Sequence, residues 1–583
     1  MRLVAGSALC AVLVMSVTTA DAAKALNADA QLKTIYTEEW AWREKQFASG
    51  EDDNRPVSDH LPRMDNAAQD ERTKYWENVL TRLKAIPRDK LSHDEQVNYD
   101  VYVPQIEGLI ESQKFRDFEM PANSDSSFWT DIGYTARRPF RTLTDYENWI
   151  RQMRDIPRYF QEQIAQMRAG LARGFTPPRV TLEGRDASIT AVTEARPEES
   201  LFYTPFQKMT GVAPEKQIAL RAEAVNVIRD TVQPAYRALL KFMREDYVPG
   251  ARTTLAAEDM PNGKAWYREQ IRQFTTLDES PENIHAFGVS EVAKIHAEML
   301  EAMKATGFKG DMPAFLKFLR TDPQFYAKTP EELLMRAAWI AKKFDGKAST
   351  YFGYLPRMRF AIEPVPADLA PFYTSGRGGP GVYLLNTYDL PHRPLYSLAA
   401  LTLHESAPGH AFQMPIAMEH KDQPEFRQNS YISAFGEGWA LYCERLGDEM
   451  GMYETPYERF GMLSYQMWRA ARLVVDTGIH AQGWTREQAI DYFLEYTALP
   501  EHEIETEVDR YIAWPGQALS YYLGEDAIWK ARHKVEAALG DKFNIRAFHD
   551  TVLELGSVPL PVLTARIDRF IAEGGKGPYP DME

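Results

Sequence analysis

His404 and His410 flank Glu405 at the end of an apolar run, in the stretch His404-Glu405-Ser406-Ala407-Pro408-Gly409-His410. Two imidazoles and an intervening carboxylate are the parts of a zinc hydrolase of the His-Glu-x-x-His kind, in which the histidines ligate and the glutamate is general base. The second histidine stands two residues late for that pattern. On a regular helix, at ~100° per residue, positions i and i+4 share a face, whereas i and i+6 lie ~120° apart. Pro408 has no N–H to give the carbonyl of His404, and its ring collides there, so a regular helix cannot run through. Gly409 accepts nearly any backbone angle. The sequence therefore predicts a bulge or break at Pro408-Gly409 that swings His410 back towards His404.

A catalytic zinc takes three protein ligands and keeps a fourth position for water. The richest downstream source is Phe435-Gly436-Glu437-Gly438-Trp439-Ala440-Leu441-Tyr442-Cys443-Glu444. Glu437 stands in an apolar, aromatic setting where a buried carboxylate needs a partner. It is the expected third ligand, weighed against the plainer reading of a solvated helix glutamate. Glu444, seven residues on, shares its face and could hold a histidine from behind. No fourth Cys or His offers to close the site, since His420 sits among Glu419, Lys421 and Asp422 in what reads as a solvated turn.

Two later segments carry hydrogen-bond donors. Asp476-Thr477-Gly478-Ile479-His480 reads as the end of a long helix with a histidine just beyond it, and Arg510 to Gly524 is dense in aromatics. A histidine and a tyrosine from these segments could bond the oxyanion that forms on a scissile carbonyl. Singly, such residues are more often structural. Arg510 could fork onto a peptide carboxylate, and an i,i+3 ion pair with Glu507 is an equally good reading.

The elements that must position these groups read as overwhelmingly helical. Asp145 to Ala172 carries apolar residues at spacings of three and four, with a kink or break expected at Pro157. Gln217–Phe242, Pro281–Met303, Pro330–Lys343, Pro456–Val475 and Thr485–Leu494 show the same habit, several with proline near the entry. Two short runs, Met358–Val365 and Gly381–Asn386, read as strands of a small sheet just before the metal helix. Between them Ser375–Gly381 reads as a flexible glycine loop. The sheet edge, with Tyr383 and Asn386, is a candidate for binding an extended peptide. A hairpin with no ligand role is the competing reading.

With 583 residues, 44% of them hydrophobic, the chain can bury a large core, and a net charge of −16 argues against nucleic acid and anionic membranes as partners. Arg2, the apolar Leu3–Val17 and Ala20-Asp21-Ala22 read as a cleavable secretory signal over 1–22. Residues 23–583 then form a single helical catalytic unit, or two lobes around a cleft. A secreted, periplasmic protein without a membrane span in its mature chain is expected, and nothing in the sequence sets an oligomeric state. Of two cysteines, Cys10 leaves with the signal, and bulky Leu9 before it speaks against lipid attachment there. Cys443 alone cannot form an internal disulfide.

Several of these pieces together resemble a bacterial domain-of-unknown-function family, number 885, regarded as zinc peptidases. They are His404 to His410, Glu437-Gly438-Trp439-Ala440, Asp476 to His480, Arg510-Tyr511 with Pro515 to Tyr521, and Gly170 to Arg173 followed by Pro177-Pro178. Two departures are visible. Tyr522 follows Tyr521 where a long polar residue is usual, so either tyrosine is a candidate to face the site. The glycine loop reads Gly-Arg-Gly-Gly-Pro-Gly in place of Gly-Ser-Arg-Pro-Gly.

The resemblance implies a mainly α fold, metallopeptidase-like, with a deep cleft and a small β-sheet beside the active-site helix, like angiotensin-converting enzyme and carboxypeptidase Taq. It implies Zn2+ on His404, His410 and Glu437, with Glu405 passing a water's proton to the leaving amine. His480 and Tyr521 would steady the oxyanion, and the substrate would be a peptide. Competing expectations are a metal-dependent hydrolase of non-peptide amides or esters, and a periplasmic binding protein in which the motif holds a structural metal or none.

Overall fold

The structure, a computed structural model, describes residues 11–47, 56–123, 126–367 and 369–580, with the backbone alone for 11–27 and 372. Arg2 and Cys10 of the expected signal lie outside the described residues. The chain divides into two compact units, Met1–Ala251 with Pro424–Phe426, and Arg252–Gln423 with Arg427–Glu583. Both are mainly helical. Among the described residues no helix is long and apolar enough to cross a membrane.

The first unit contains α1 (Ala11–Phe47), α2 (Asn66–Lys84), α3 (His93–Phe115) and α4 (Leu143–Arg173), followed by α5 (Pro214–Val227) and α6 (Gln233–Phe242). A Thr142–Asp145 capping box starts α4. Its Trp149, Ile150, Met153, Ile156, Phe160 and Met167 are buried in the unit's core, the period of three and four that the sequence shows. The helix runs as one piece through Pro157, where a break was one expectation. Proline removes a single hydrogen bond, and the buried side chains on both sides of it outweigh that loss. The expected helix Gln217–Phe242 instead divides into α5 and α6 at a π turn, Ile228–Val232, which leaves Pro234 in the first turn of α6 where its missing N–H costs least.

The second unit holds every candidate site residue. Among its helices are α7 (Pro281–Ala305), α8 (Leu395–Glu405), α9 (His410–Glu419), α10 (Ser433–Glu449), α11 (Pro456–Gln482), α12 (Glu501–Ala513) and α13 (Ser520–Leu539). Helix α11 is the axis of the unit. Its residues are buried without a break from Phe460 to His480, as in a helix packed on all sides, and α7, α8 and α13 pack against it. Helix α10 meets α13 where Gly438 and Gly524 face each other: a Cβ on Gly438 would stand 2.4 Å from the Gly524 carbonyl carbon. Helix α11 extends seven residues beyond the expected end at Val475, so His480 lies in its last turn.

A three-stranded sheet precedes α8, in the order β1 (Ala361–Pro364), β3 (Val382–Leu385), β2 (Gly376–Gly379). Strand β1 runs parallel to β3, pairing Ile362 with Tyr383, and β2 runs antiparallel, pairing Gly378 with Tyr383. The glycine-rich segment expected as a loop is therefore mostly an edge strand. Its missing side chains let the strand lie directly against the end of α8.

Candidate metal centre

Helix α8 ends at Glu405. Ser406 Oγ donates to Thr402 O, Gly409 N–H donates to Leu403 O at 3.0 Å, and a new helix opens at His410. A Cβ on Gly409 would lie 1.8 Å from the His404 carbonyl oxygen, so only glycine permits this close return of the chain. Trp439 Nε1 donates to Pro408 O at 2.8 Å and ties the break to α10. The result brings the two imidazoles to a centroid separation of 5.0 Å, edge to face.

Helix α10 supplies the carboxylates. Glu437 Oε2 lies 3.4 Å from His404 Nε2 and 3.3 Å from His410 Nε2. The three residues offer ligand atoms within 4.8 Å of one another. One helical face down, Glu444 Oε1 stands 2.7 Å from His404 Nδ1. A carboxylate only accepts, so Nδ1 carries a hydrogen, and Nε2, which faces Glu437 and His410, is the nitrogen left for a metal to take in place of a proton.

Burial works against a charge on His404, but Glu437 and Glu444, with Glu405 behind them, push its pKa up to about 10. Burial likewise opposes ionisation of Glu437, yet His410 and His404 hold it well below the carboxylate range. The surroundings thus favour a positive charge between the imidazoles and Glu437. A borderline-soft cation with nitrogen and oxygen ligands fits this donor set, and zinc is the metal that such a His2Glu set commonly takes.

Glu405, next in the chain to His404, accepts a 2.6 Å hydrogen bond at Oε2 from Gly378 N–H of edge strand β2. A Cβ on Gly378 would stand 1.7 Å from the Glu405 carbonyl oxygen, the reason this strand must be glycine here. Tyr431, which the sequence reading overlooked, donates to Glu437 Oε1 at 3.0 Å. Although Tyr431 is 45% exposed as a whole, crowding around its hydroxyl, then the negative charges of Glu437 and Glu405, raise its pKa well above that of an ordinary tyrosine, so it stays a donor. No periodic pattern marks Tyr431, because it lies in the connection leading into α10.

Three expected site residues are placed otherwise. His480 is fully buried: Nδ1 accepts from Ala257 N–H and Nε2 donates to Tyr511 O at 2.9 Å. Both ring nitrogens are committed, and burial holds it neutral with a pKa of about 3, so it has no donor left for an oxyanion. Asn386 donates to the carbonyls of Ala370, Tyr373 and Thr374 and accepts from Tyr388 N–H. It shapes the turn before α8 and has nothing to offer a ligand. Tyr383 is fully buried under the sheet, which removes it from the substrate-binding set.

The segment containing His480 has a different task. Asp476 accepts from Gly516 N–H and from Tyr267 Oη at 2.6 Å, and with His480 it braces the stretch that carries Arg510 and Tyr521. Of the two tyrosines, Tyr522 is buried with its hydroxyl on Glu291 at 2.8 Å. Tyr521 is partly open and 3.5 Å from Arg510 Nη2. Arg510 also meets Glu507 at 3.4 Å and Gln517 Oε1 at 2.6 Å, so the ion pair anticipated from i,i+3 spacing is present.

A family model described as bacterial protein of unknown function, DUF885, matches residues 44–567. The chain belongs to the DUF885 family. No curated protein matches it. Among solved structures, this DUF885 chain is similar to a protein from Colwellia psychrerythraea provisionally called a lipoprotein, at 27% identity and a TM-score of 0.86, over 95% of this chain and 100% of that one. It is also similar to a protein of unknown function from Shewanella oneidensis that carries the same provisional description, at 16% identity and a TM-score of 0.70, over 92% and 98% of the two chains. The second likeness speaks to the fold alone. The description of the first agrees with an extracytoplasmic protein.

Proposed function

We propose that this DUF885 protein is a secreted, periplasmic, zinc-dependent peptidase that hydrolyses oligopeptides, on a metallopeptidase-like helical scaffold with its centre in a deep cleft. The observation that carries the reading is the convergence of His404 Nε2, His410 Nε2 and Glu437 Oε2 beside a second, differently held carboxylate, Glu405. Three ligands with a fourth position open is the habit of catalytic zinc, whereas structural sites close the fourth position with protein.

When bound, zinc supplies Lewis acidity that polarises a carbonyl and eases deprotonation of water. The chain's own groups do the rest. His404, His410 and Glu437 hold the ion, and Glu444 fixes the His404 tautomer. Glu405 has one oxygen occupied by Gly378 N–H, and the other takes a proton from water and passes it to the leaving amine. Tyr431 gives its one O–H to Glu437 and steadies that ligand. Tyr521, whose hydroxyl hydrogen is not given to a carboxylate, would donate to the oxyanion, keeping the part first assigned to it together with His480. The outer edge of β2, already presenting Gly378 to Glu405, offers an extended peptide a partner beside the general base.

The test is elemental analysis of purified protein, followed by digestion of a mixed peptide library read by mass spectrometry with and without chelator. Stoichiometric zinc with chelator-sensitive cleavage is the expected result. Zinc without cleavage of any peptide, joined to hydrolysis of amide or ester substrates, would shift the reading to a non-peptide hydrolase.

A further inference from the structure

A second convergence adjoins the metal centre. Arg469 and Arg472, on one face of α11, are 5% and 2% exposed. Arg472 and Arg510 pair with Glu507 at 2.8 and 3.4 Å, and Arg393 and Glu503 lie within electrostatic reach of the group. Glu444 also approaches, 3.8 Å from Arg469 Nη2, but it is engaged by His404. Four guanidinium groups thus share this region with Glu507, which pairs with two of them, and Glu503.

Several donors in this cluster are buried without a hydrogen-bond partner: Arg469 Nε and Nη1, Arg472 Nη1 and Arg393 Nε. The remaining contacts hold the guanidinium planes in place. Arg472 donates to Tyr511 Oη and to Glu507, each at 2.8 Å, and its guanidinium lies 4.4 Å from the Trp468 ring centre and 4.5 Å from that of Tyr521. Tyr521 lies against Arg472 and Arg510. Arginine keeps its charge when buried, and a buried charge short of partners is stabilised by an anion with oxygens to share.

We infer that this cluster receives the C-terminal carboxylate of the peptide being cleaved, making the protein a carboxypeptidase-type enzyme that releases a short fragment from the free C-terminal end. The inference rests on the peptidase reading. Arg510, whose side chain is 22% exposed, makes first contact, and Arg472 completes the seat. The step itself is hydrolysis: the scissile C–N bond breaks, water oxygen bonds to the carbonyl carbon, and the amine leaves with a proton.

Binding and turnover are tested separately with the tripeptide Ala-Phe-Ala as free acid and as C-terminal amide. Calorimetry on the zinc-loaded Glu405→Gln protein should show the acid binding roughly 10- to 100-fold more tightly than the amide, the span of one or two charge-assisted hydrogen bonds. Adding Arg510→Gln should remove that preference with little change for the amide, and Arg510→Lys should restore only part of it, because the fork is lost while the charge stays. Thermal melting of each variant checks that the fold is kept. Equal binding of acid and amide, or no binding of the acid, overturns the carboxylate seat. Equal rates of cleavage of acid and amide by the wild-type protein overturn it too and leave the peptidase reading standing. A clear binding preference with neither form hydrolysed upholds the carboxylate seat and sinks the peptidase reading.

Discussion

His404 gives its Nδ1 hydrogen to Glu444 at 2.7 Å, and that one bond decides which nitrogen of His404 faces His410 and Glu437. An imidazole free to flip would present either nitrogen. One braced by a buried carboxylate presents Nε2 and is more basic there. Glu444→Ala should therefore lower zinc affinity by about 10- to 100-fold, and Glu444→Gln should lose less, because the amide oxygen can still accept. Competition against a chromophoric chelator measures both. Unchanged affinity in Glu444→Ala would mean that His404 is not a ligand through Nε2.

Glu405 is held by Gly378 N–H outside the ligand set, so binding and turnover should separate at this residue. Glu405→Gln should keep zinc at full occupancy while turnover falls by about 10²- to 10⁴-fold, the usual contribution of a positioned acid–base group. Full turnover in that variant would remove Glu405 from the mechanism, and loss of zinc would make it a ligand.

The break between α8 and α9 rests on Gly409, where a Cβ would meet the His404 carbonyl oxygen at 1.8 Å and that of Leu403 at 2.5 Å. Gly409→Ala must push the chain away from the end of α8 and carry His410 with it. Zinc content should fall steeply, and stability should drop by about 1–3 kcal/mol, as overpacking does. Zinc stoichiometry and a urea titration report the two effects. A Gly409→Ala protein with normal zinc content would show that His410 is not tied to this geometry.

The convergence of His404, His410 and Glu437 was legible because type, order and spacing all bear on it. The proline and glycine announce a break in the helix, and Glu437 and Glu444 repeat at seven residues on one face. His480 and Asn386 looked equally suitable by type. They are spent on backbone groups of Tyr511, Ala257, Ala370, Tyr373 and Thr374, partners that only the folded chain brings near. The glycine segment was read as a loop because glycine disfavours strands. Its use as an edge strand depends on the end of α8 passing where side chains would stand. Tyr431 carried no sequence signal at all.

His480 and His549 are both fully buried and neutral, with pKa values lowered to about 3 by burial, and each accepts or donates only within the second unit. Their ordinary value is about 6.5. The unfolded chain therefore binds protons that the folded one refuses between these values. Stability from this source is complete above about pH 6.5 and is lost as pH falls towards about 3, with a slope approaching ~1.4 kcal/mol per pH unit for each histidine. Replacing His480 with Gln, which can still donate and accept, should flatten the acid limb of a stability–pH curve followed by urea unfolding. It should leave zinc content and the rate constant of turnover near wild type at neutral pH. A large fall in turnover with zinc and fold intact would restore His480 to the catalytic set and show that its ring reaches the substrate when one is bound.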